Sequence, residues 1–301
     1  INTTMIEVLL FAVALAGTAA GGWIDLKTTE IPDIVPASMA ALGLVLHIAN
    51  AYLLGSMFPI YAAFAAAIGY LTFGYMLYYT GQWGEADVLL LGAIGFLLPV
   101  APFFFNATAA GTIWYAYPLI FLLNTFIVGG VYSIIYAFIV AFREKRVIKS
   151  LHADIRANTK NFAKITIIFL AGSAVISVYI SNYIVRLPVH FFMERALMLL
   201  PAIILLFLVY RFAIVVDKTA FRKKVSSSKL QEGDVLAESV SAKGLKMNGK
   251  LFIGLTEDQI QKIQKAKKTV WIKEGIRYGP TFFLALVATW LYGNILLVAM
   301  V

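Results

Sequence analysis

The run MIEVLLFAVALAGTAAGGWI, residues 5–24, is followed at once by the polar stretch DLKTTEIPD, residues 25–33. A helix needs roughly 20 apolar residues to cross a bilayer, and the run carries one charged side chain, Glu7. Asp25 therefore stands where lipid would end and water would begin. An ionisable group at that boundary is costly and by default marks a functional site.

Asp87 stands in a matching position further along the chain. It closes the polar stretch GQWGEAD, residues 81–87, and precedes the apolar run 88–105. Two aspartates at one membrane face would form an aspartyl dyad. Trp83, in the same polar stretch, is by residue type an anchor at the membrane interface.

The composition of the 301-residue chain indicates an α-helical polytopic membrane protein, because 61% of its residues are hydrophobic and fall into long runs. The absence of cysteine excludes disulfides and thiolate-bound zinc, and the three histidines are too far apart for a metal site. We therefore expect no metal or other cofactor. The net charge of +9 is attributed to basic loops, so nucleic acid is not expected as a partner.

Eight apolar segments predict about eight transmembrane helices, with six as the lower limit. The first is interpreted as a retained span rather than a removed signal peptide, because no clear small-residue cleavage site follows it. The segments are residues 5–24, 34–54, 58–80, 87–105, 113–142, 164–185, 191–216 and 280–300.

The distribution of charge predicts the orientation of these spans. With the N-terminus outside, 23 of the 25 Lys and Arg residues lie at or near the cytoplasmic face. This excess agrees with the positive-inside rule. Because the second and third spans form a hairpin, Asp25 and Asp87 are predicted to share the cytoplasmic face of the cell (plasma) membrane.

The loop before the last span is long enough for a small cytoplasmic α+β domain. Asn248-Gly249 predicts a hairpin turn, Thr256–Gln259 is a capping box for a helix over 259–268, and Thr269–Glu274 predicts a strand. The expected domains are a catalytic membrane core at 1–142, a basic loop with two spans at 143–216, this domain at 217–279 and the last helix at 280–301.

Small and polar residues within the spans predict how the helices pack. Gly17, Gly21 and Gly22 give the first span a small-residue face that permits close approach of another helix. His47 is predicted to pack or hydrogen-bond within the second span. Asn124 is predicted to hydrogen-bond between helices.

Two carboxylates that share one proton are the working parts of aspartyl hydrolysis. Because neighbouring like charges do not easily both ionise, one group acts as an acid and the other as a base toward water. Gly84 would let the chain approach closely before Asp87, and Ile31-Pro32 would fix an extended or turned exit after Asp25. The structural alternatives are that Asp87 only caps its helix and that Asp25 only pairs with Lys27.

Both polar stretches resemble catalytic motifs of the type IV prepilin peptidases. Asp25-Leu-Lys-Thr-Thr-Glu-Ile-Pro-Asp33 resembles the first motif, an Asp, a Lys two places on, then Ile-Pro followed by Asn or Asp. Gly84-Glu-Ala-Asp87 resembles the archaeal form of the second, Gly-x-hydrophobic-Asp. Residues 272–283 look like the stretch that leads archaeal members into their last span. The chain is thus similar to archaeal preflagellin or prepilin peptidases, of the GxGD type, although those have fewer spans and offer no role for residues 143–216.

The resemblance implies cleavage of a class III signal peptide, a short basic leader before an apolar helix, at the cytoplasmic face and usually after Gly. It makes Asp25 and Asp87 the catalytic pair. The residues that would support the motifs are Gly84, Lys27, Ile31 and Pro32. Three acids are candidates to receive the basic leader, against the alternative that they only solvate their loops: Glu30, Asp33 and Glu85. The expected partners are prepilin or preflagellin substrates and the lipid bilayer.

Two other functions are compatible with acids at a membrane edge. Presenilin-like or signal-peptide-peptidase-like proteases also use an aspartate pair, but the chain lacks their Pro-Ala-Leu motif. A non-enzymatic transporter would be expected to show internal repeats, or broken helices with acids near the midplane. The sequence shows no repeat, and both aspartates lie at the edge of an apolar run.

Overall fold

The computed structural model describes residues 2–105, 117–185, 188–242, 245–247, 254–266, 269–273 and 275–298. Helices dominate this part of the chain. They are α1 (Thr3–Thr28), α2 (Ile34–Leu54), α3 (Phe58–Tyr79), α4 (Glu85–Leu97), α5 (Tyr117–Arg143), α6 (Lys145–Ile180), α7 (Val189–Met198), α8 (Leu200–Thr219), α9 (Glu257–Ala266), α10 (Gly279–Tyr292) and α11 (Ile295–Val298). The strands are β1 (Arg222–Ser226), β2 (Val235–Leu236), β3 (Val240–Ala242), β4 (Leu245–Met247) and β5 (Thr269–Lys273).

Six helical segments of the described chain are long and apolar enough to cross a membrane, which confirms a polytopic membrane protein. They are Thr3–Thr28, Ile34–Leu54, Phe58–Tyr79, Tyr117–Arg143, Arg146–Val185 and Val189–Thr219. The predicted spans 87–105 and 280–300 contain shorter helices, α4 with 13 residues and α10 with 14. Pro99 and Pro102 follow the end of α4, and proline cannot continue a helix. Among the described residues, the helices long enough to cross a membrane therefore number six, within the predicted range of six to eight.

The chain divides into two compact units, Ile1–Tyr136 with Lys224–Val301, and Ala137–Lys223. In the first unit, buried side chains of α1, α4, α5 and α10 form one core, including Ile6, Leu90, Phe121 and Phe282. The division into four domains stays a prediction.

The small-residue face of α1 permits close packing, as predicted. A Cβ atom on Gly17 would lie 2.3 Å from Met39 Sδ, and one on Gly22 would lie 2.9 Å from Pro280 Cα. The second contact is with backbone, which cannot move aside as a flexible side chain can. The start of α10 can therefore lie directly against α1 only because residue 22 is glycine.

Two polar residues in the spans hydrogen-bond across helices, which confirms both predictions. Asn124 Nδ2 donates to Thr289 Oγ1 at 2.9 Å and to the Gly293 carbonyl at 2.6 Å, so it joins α5 to α10 and the turn that follows. His47 Nε2 lies 2.8 Å from the Phe96 carbonyl, which joins α2 to α4. Such bonds satisfy polar groups that would otherwise be buried in lipid or protein without a partner.

The second unit contains the end of α5 together with α6, α7 and α8. Its core includes Ala137, Val147, Phe212 and Val216. Arg211 of α8 donates two hydrogen bonds to the Asp154 carboxylate of α6, each of 2.6 Å. This bidentate pair fixes the register of α8 against α6.

A small α+β region precedes α10, as predicted. A three-stranded sheet has the order β1-β5-β2, and β3 pairs with β4. The predicted capping box opens α9, where Thr256 N–H donates to Gln259 Oε1 at 3.0 Å. The strand predicted at Thr269–Glu274 is found as β5. The predicted Asn248-Gly249 turn lies outside the described residues.

Candidate active site

Asp25 lies in the last turn of α1 and is only 6% exposed. The helix ends three residues later at Thr28, and the capping residue Thr29 adopts the left-handed conformation (φ 68°), with its N–H donating to the Asp25 carbonyl. The side chain points away from that cap. Its Oδ2 accepts a hydrogen bond of 2.8 Å from the N–H of Gly279, the first residue of α10.

Asp87 lies in the first turn of α4, outside the six candidate spans. Its Oδ2 accepts a hydrogen bond of 3.1 Å from the N–H of Gly84, the residue that caps this helix. The predicted capping role is therefore present. Burial raises the pKa of the Asp87 carboxyl to about 7, the Gly84 hydrogen bond opposes this rise, and the charge of Asp25 adds to it.

The hairpin of α2 and α3 brings these two carboxylates to one end of the helices. α1 and α3 both pack against α4, and Asp25 is close enough for its charge to act on Asp87. Each carboxylate also accepts an N–H group from the start of a helix, where the backbone carries partial positive charge. The negative charge of Asp25 therefore disfavours ionisation of Asp87.

Residues 277 and 278, directly before α10, also lie beside the two aspartates. Arg277 donates a hydrogen bond to the carbonyl of Leu26, and its positive charge acts on Asp25. Tyr278 donates a hydrogen bond of 3.2 Å to the Thr125 carbonyl of α5. Sequence reasoning did not place this segment in the site. The available signal was its likeness to the stretch that precedes the family's last span.

Trp83 is buried between helices, so its interpretation as an anchor at the membrane interface is wrong. Its ring centroid lies 5.6 Å from that of Tyr278, 5.6 Å from that of Phe282 and 6.0 Å from that of Phe126. Trp83 thus packs against α5 and against the start of α10. Burial raises the pKa of the Tyr278 phenol, and the charge of Asp87 adds to the rise, so Tyr278 stays neutral.

The remaining residues predicted for the site differ in their surroundings. Ile31 is buried, whereas five others are exposed: Lys27, Glu30, Pro32, Asp33 and Glu85. The Lys27 ammonium lies 4.4 Å from the Trp23 ring centroid. A Cβ atom on Gly84 would lie 3.5 Å from Asp87 Oδ2, an ordinary contact. In this conformation the close approach expected of Gly84 does not require glycine.

In the part of the chain that the structure describes, no group of three or more His, Cys, Asp or Glu side chains is gathered to hold a metal ion. A carboxylate pair can activate water by proton transfer alone. The fold and the site thus define a class: a polytopic membrane protein with two interacting carboxylates at one end of its helices.

The segment of the chain that contains Asp25 and Asp87 is similar to known proteins. Residues 9–134 match the model of the type IV leader peptidase family. Over 148 residues the chain is 28% identical to prepilin peptidase EppA of Methanothermobacter thermautotrophicus, covering 47% of this chain and 38% of that protein. No solved structure matches the chain. The resemblance inferred from the two motifs is confirmed.

The family match has a boundary that matters for the site. It includes Asp25 and Asp87 and ends well before Arg277. The segment that donates to Asp25 therefore lies outside the matched residues.

Proposed function

We propose that the chain is a membrane aspartyl endopeptidase that removes the basic leader from prepilin-like or preflagellin-like proteins. The observation that carries this proposal is the pairing of Asp25 and Asp87 at one end of the helices, within the segment that matches the leader peptidase family. The name of the curated relative, a prepilin peptidase, suggests the class of substrate.

The chemistry follows from the coupling of the two carboxylates. The ionised carboxylate removes a proton from water, and the water oxygen attacks the carbonyl carbon of the scissile peptide bond. The protonated carboxyl group donates its proton as the C–N bond breaks, so that an acid and an amine leave. Each step needs one carboxyl group in each protonation state, which the raised pKa of Asp87 supports near neutral pH.

The experiment is single replacement of each aspartate in the full chain, purified in detergent and given a prepilin-like peptide. Asp25→Asn and Asp87→Asn should each lower cleavage by about 10²- to 10⁴-fold, the usual contribution of a positioned acid or base. Asp258→Asn, at an exposed position of α9, is the matched control and should cleave normally. Near-normal cleavage by either dyad variant would reject the assignment.

The basic leader of the substrate has acidic groups to meet at this end of the protein. Glu30 and Asp33 lie between α1 and α2, Glu85 opens α4, and all three are exposed. We propose that these acids receive the leader, although the nearby loops are otherwise basic. In the same assay, a peptide whose leader lysines are replaced by serine should show a higher KM. An unchanged KM would mean that these acids only solvate their loops and do not bind the leader.

We further propose that the site faces the cytoplasm and that the membrane is the plasma membrane. The support is the excess of Lys and Arg on the loops that are predicted from the sequence to share a membrane face with the aspartates.

A further inference from the structure

The segment Arg277–Gly279 reaches Asp25 from the opposite end of the sequence. Gly279 N–H donates to Asp25 Oδ2 at 2.8 Å, across a separation of 254 residues. Arg277 donates to the carbonyl of Leu26, the next residue of α1. Two successive residues of α1 are thus held by one short segment.

Close packing fixes the position of this segment. A Cβ atom on Gly279 would lie 2.9 Å from both Cβ and Oδ2 of Asp25, so no larger residue fits without displacing the carboxylate. On the other side, Tyr278 Oη would lie 1.8 Å from a Cβ atom on Gly129 of α5. The segment therefore packs tightly between α1 and α5. It contacts the Leu26 carbonyl of α1 and Gly129 of α5.

The same segment touches the loop that leads to the other aspartate. The Tyr278 ring lies 5.6 Å from the Trp83 ring, centroid to centroid, and Trp83 directly precedes Gly84. Gly84 in turn donates to Asp87. One three-residue segment thus donates to one carboxylate and packs against the residue next to the donor of the other.

The electrostatic position of Asp25 explains why such support is needed. Asp25 lies at the C-terminal end of α1, where exposed carbonyls disfavour a negative charge. The groups whose charges act between Asp25 and its neighbours are Asp87 of α4, Tyr132 of α5 and Arg277. Of these, Arg277 is the cation. Its charge and the Gly279 N–H both favour the ionised carboxylate.

We infer that Arg277–Gly279 is a positioning element that fixes the Asp25 carboxylate and favours its ionised form, which suits Asp25 to be the base of the dyad and Asp87 the acid. This inference rests on the proposed endopeptidase function. It assigns separate roles to two aspartates that their motifs leave equivalent, and it places a determinant of those roles outside the segment that matches the family.

Replacement of Arg277 tests the charge. In Arg277→Gln, Asp25 should ionise at higher pH, because the charge that favours its ionised form is gone. The acidic limb of the kcat profile should therefore move to higher pH, so that kcat on that limb falls. KM should change little. Arg277→Lys keeps the charge and should restore the limb toward its normal position.

Replacement of Gly279 tests the geometry. Gly279→Ala should lower kcat at every pH, because its methyl group displaces the Asp25 carboxylate. Gly275→Ala is the matched control four residues earlier, where an added Cβ meets nothing within 4 Å, and it should cleave normally. Melting temperatures in detergent identify any variant that fails to fold. If Gly279→Ala does not fold, the comparison of Arg277→Gln with Arg277→Lys tests the inference instead.

The outcomes separate this inference from the proposed function. If Asp25→Asn and Asp87→Asn abolish cleavage while Arg277→Gln keeps the normal kcat and acidic limb, the inference is wrong and the endopeptidase stands. If Arg277→Lys behaves like Arg277→Gln, the role of Arg277 is steric and the charge assignment is overturned. If the aspartate variants still cleave, the endopeptidase itself is wrong.

Discussion

At the scale of residues, the two aspartates have similar donors but different surroundings. Asp25 accepts an N–H from a helix 254 residues away, whereas Asp87 accepts one from its own helix cap. The charge of Arg277 acts on Asp25, while the charge of Asp25 acts on Asp87 and disfavours its ionisation. Unequal surroundings of this kind separate the two protonation states that hydrolysis requires.

The raised pKa of Asp87 predicts how activity depends on pH. With a pKa of about 7, Asp87 loses its proton as the pH rises through neutrality, so kcat/KM should fall on the alkaline side. Cleavage rates of the unmodified protein, measured over a series of pH values, give this alkaline limb of the pH profile. A rate that stays constant well above pH 7, to about pH 9, would contradict an acid role for Asp87.

The same shift predicts a dependence of stability on pH. The pKa of Asp87 in the folded state, about 7, lies above its ordinary value of 3.8. The stability that its protonation contributes is therefore lost as the pH rises between these values. The melting temperature in detergent should fall across this window, and the fall should be smaller in Asp87→Asn. An identical fall in melting temperature in both proteins would show that Asp87 is not its cause.

At the scale of helices, the site lies where two short helices begin. α4 and α10, with 13 and 14 residues, are about 20 Å long, against about 30 Å for the hydrocarbon core. One aspartate accepts an N–H at the start of each. The free N–H groups of both helix starts are thus turned toward the dyad, where negative charge is needed.

The packing of α1 against α10 predicts the effect of a single methyl group. In Gly22→Ala, the new Cβ would lie 2.9 Å from Pro280 Cα, so α10 must shift away from α1. We expect a loss of about 1–3 kcal/mol in stability, typical of overpacking, and reduced cleavage because Gly279 moves with Pro280. Thermal unfolding and peptide cleavage measure the two effects.

Gly69→Ala is the control for this change. Gly69 lies in α3, and an added Cβ there meets nothing within 4 Å. It should unfold and cleave as the unmodified protein does. Equal behaviour of the two variants would show that α1 and α10 are not in close contact.

At the scale of the whole molecule, the proposed orientation in the membrane can be tested directly. The chain has no cysteine, so one introduced thiol is the sole site for a maleimide. Glu238→Cys, in the α+β region, should react in inverted vesicles, because that region is proposed to lie in the cytoplasm. Ser56→Cys, between α2 and α3, should react in intact cells. A membrane-impermeant maleimide gives the readout, and the reverse pattern would overturn the orientation.

Much of this molecule could be predicted from local sequence, and the exceptions share one physical cause. Asp25, Asp87 and the membrane class follow from charge beside apolar runs, and Asn124 follows from the cost of a polar group among helices. The contacts of Trp83 and Gly279 did not follow, because both depend on where α10 packs. A local pattern gives a residue's type of environment but does not identify a partner 254 residues away.

The hydrogen bond between Gly279 and Asp25 also sets an order for the protein's biosynthesis. Asp25 leaves the ribosome early, whereas its donor follows only after 254 further residues, including the α2–α3 hairpin and the whole α+β region. Asp25 therefore lacks its Gly279 donor until the chain has been made as far as α10. A nascent copy thus lacks this support of Asp25 until α10 is in place.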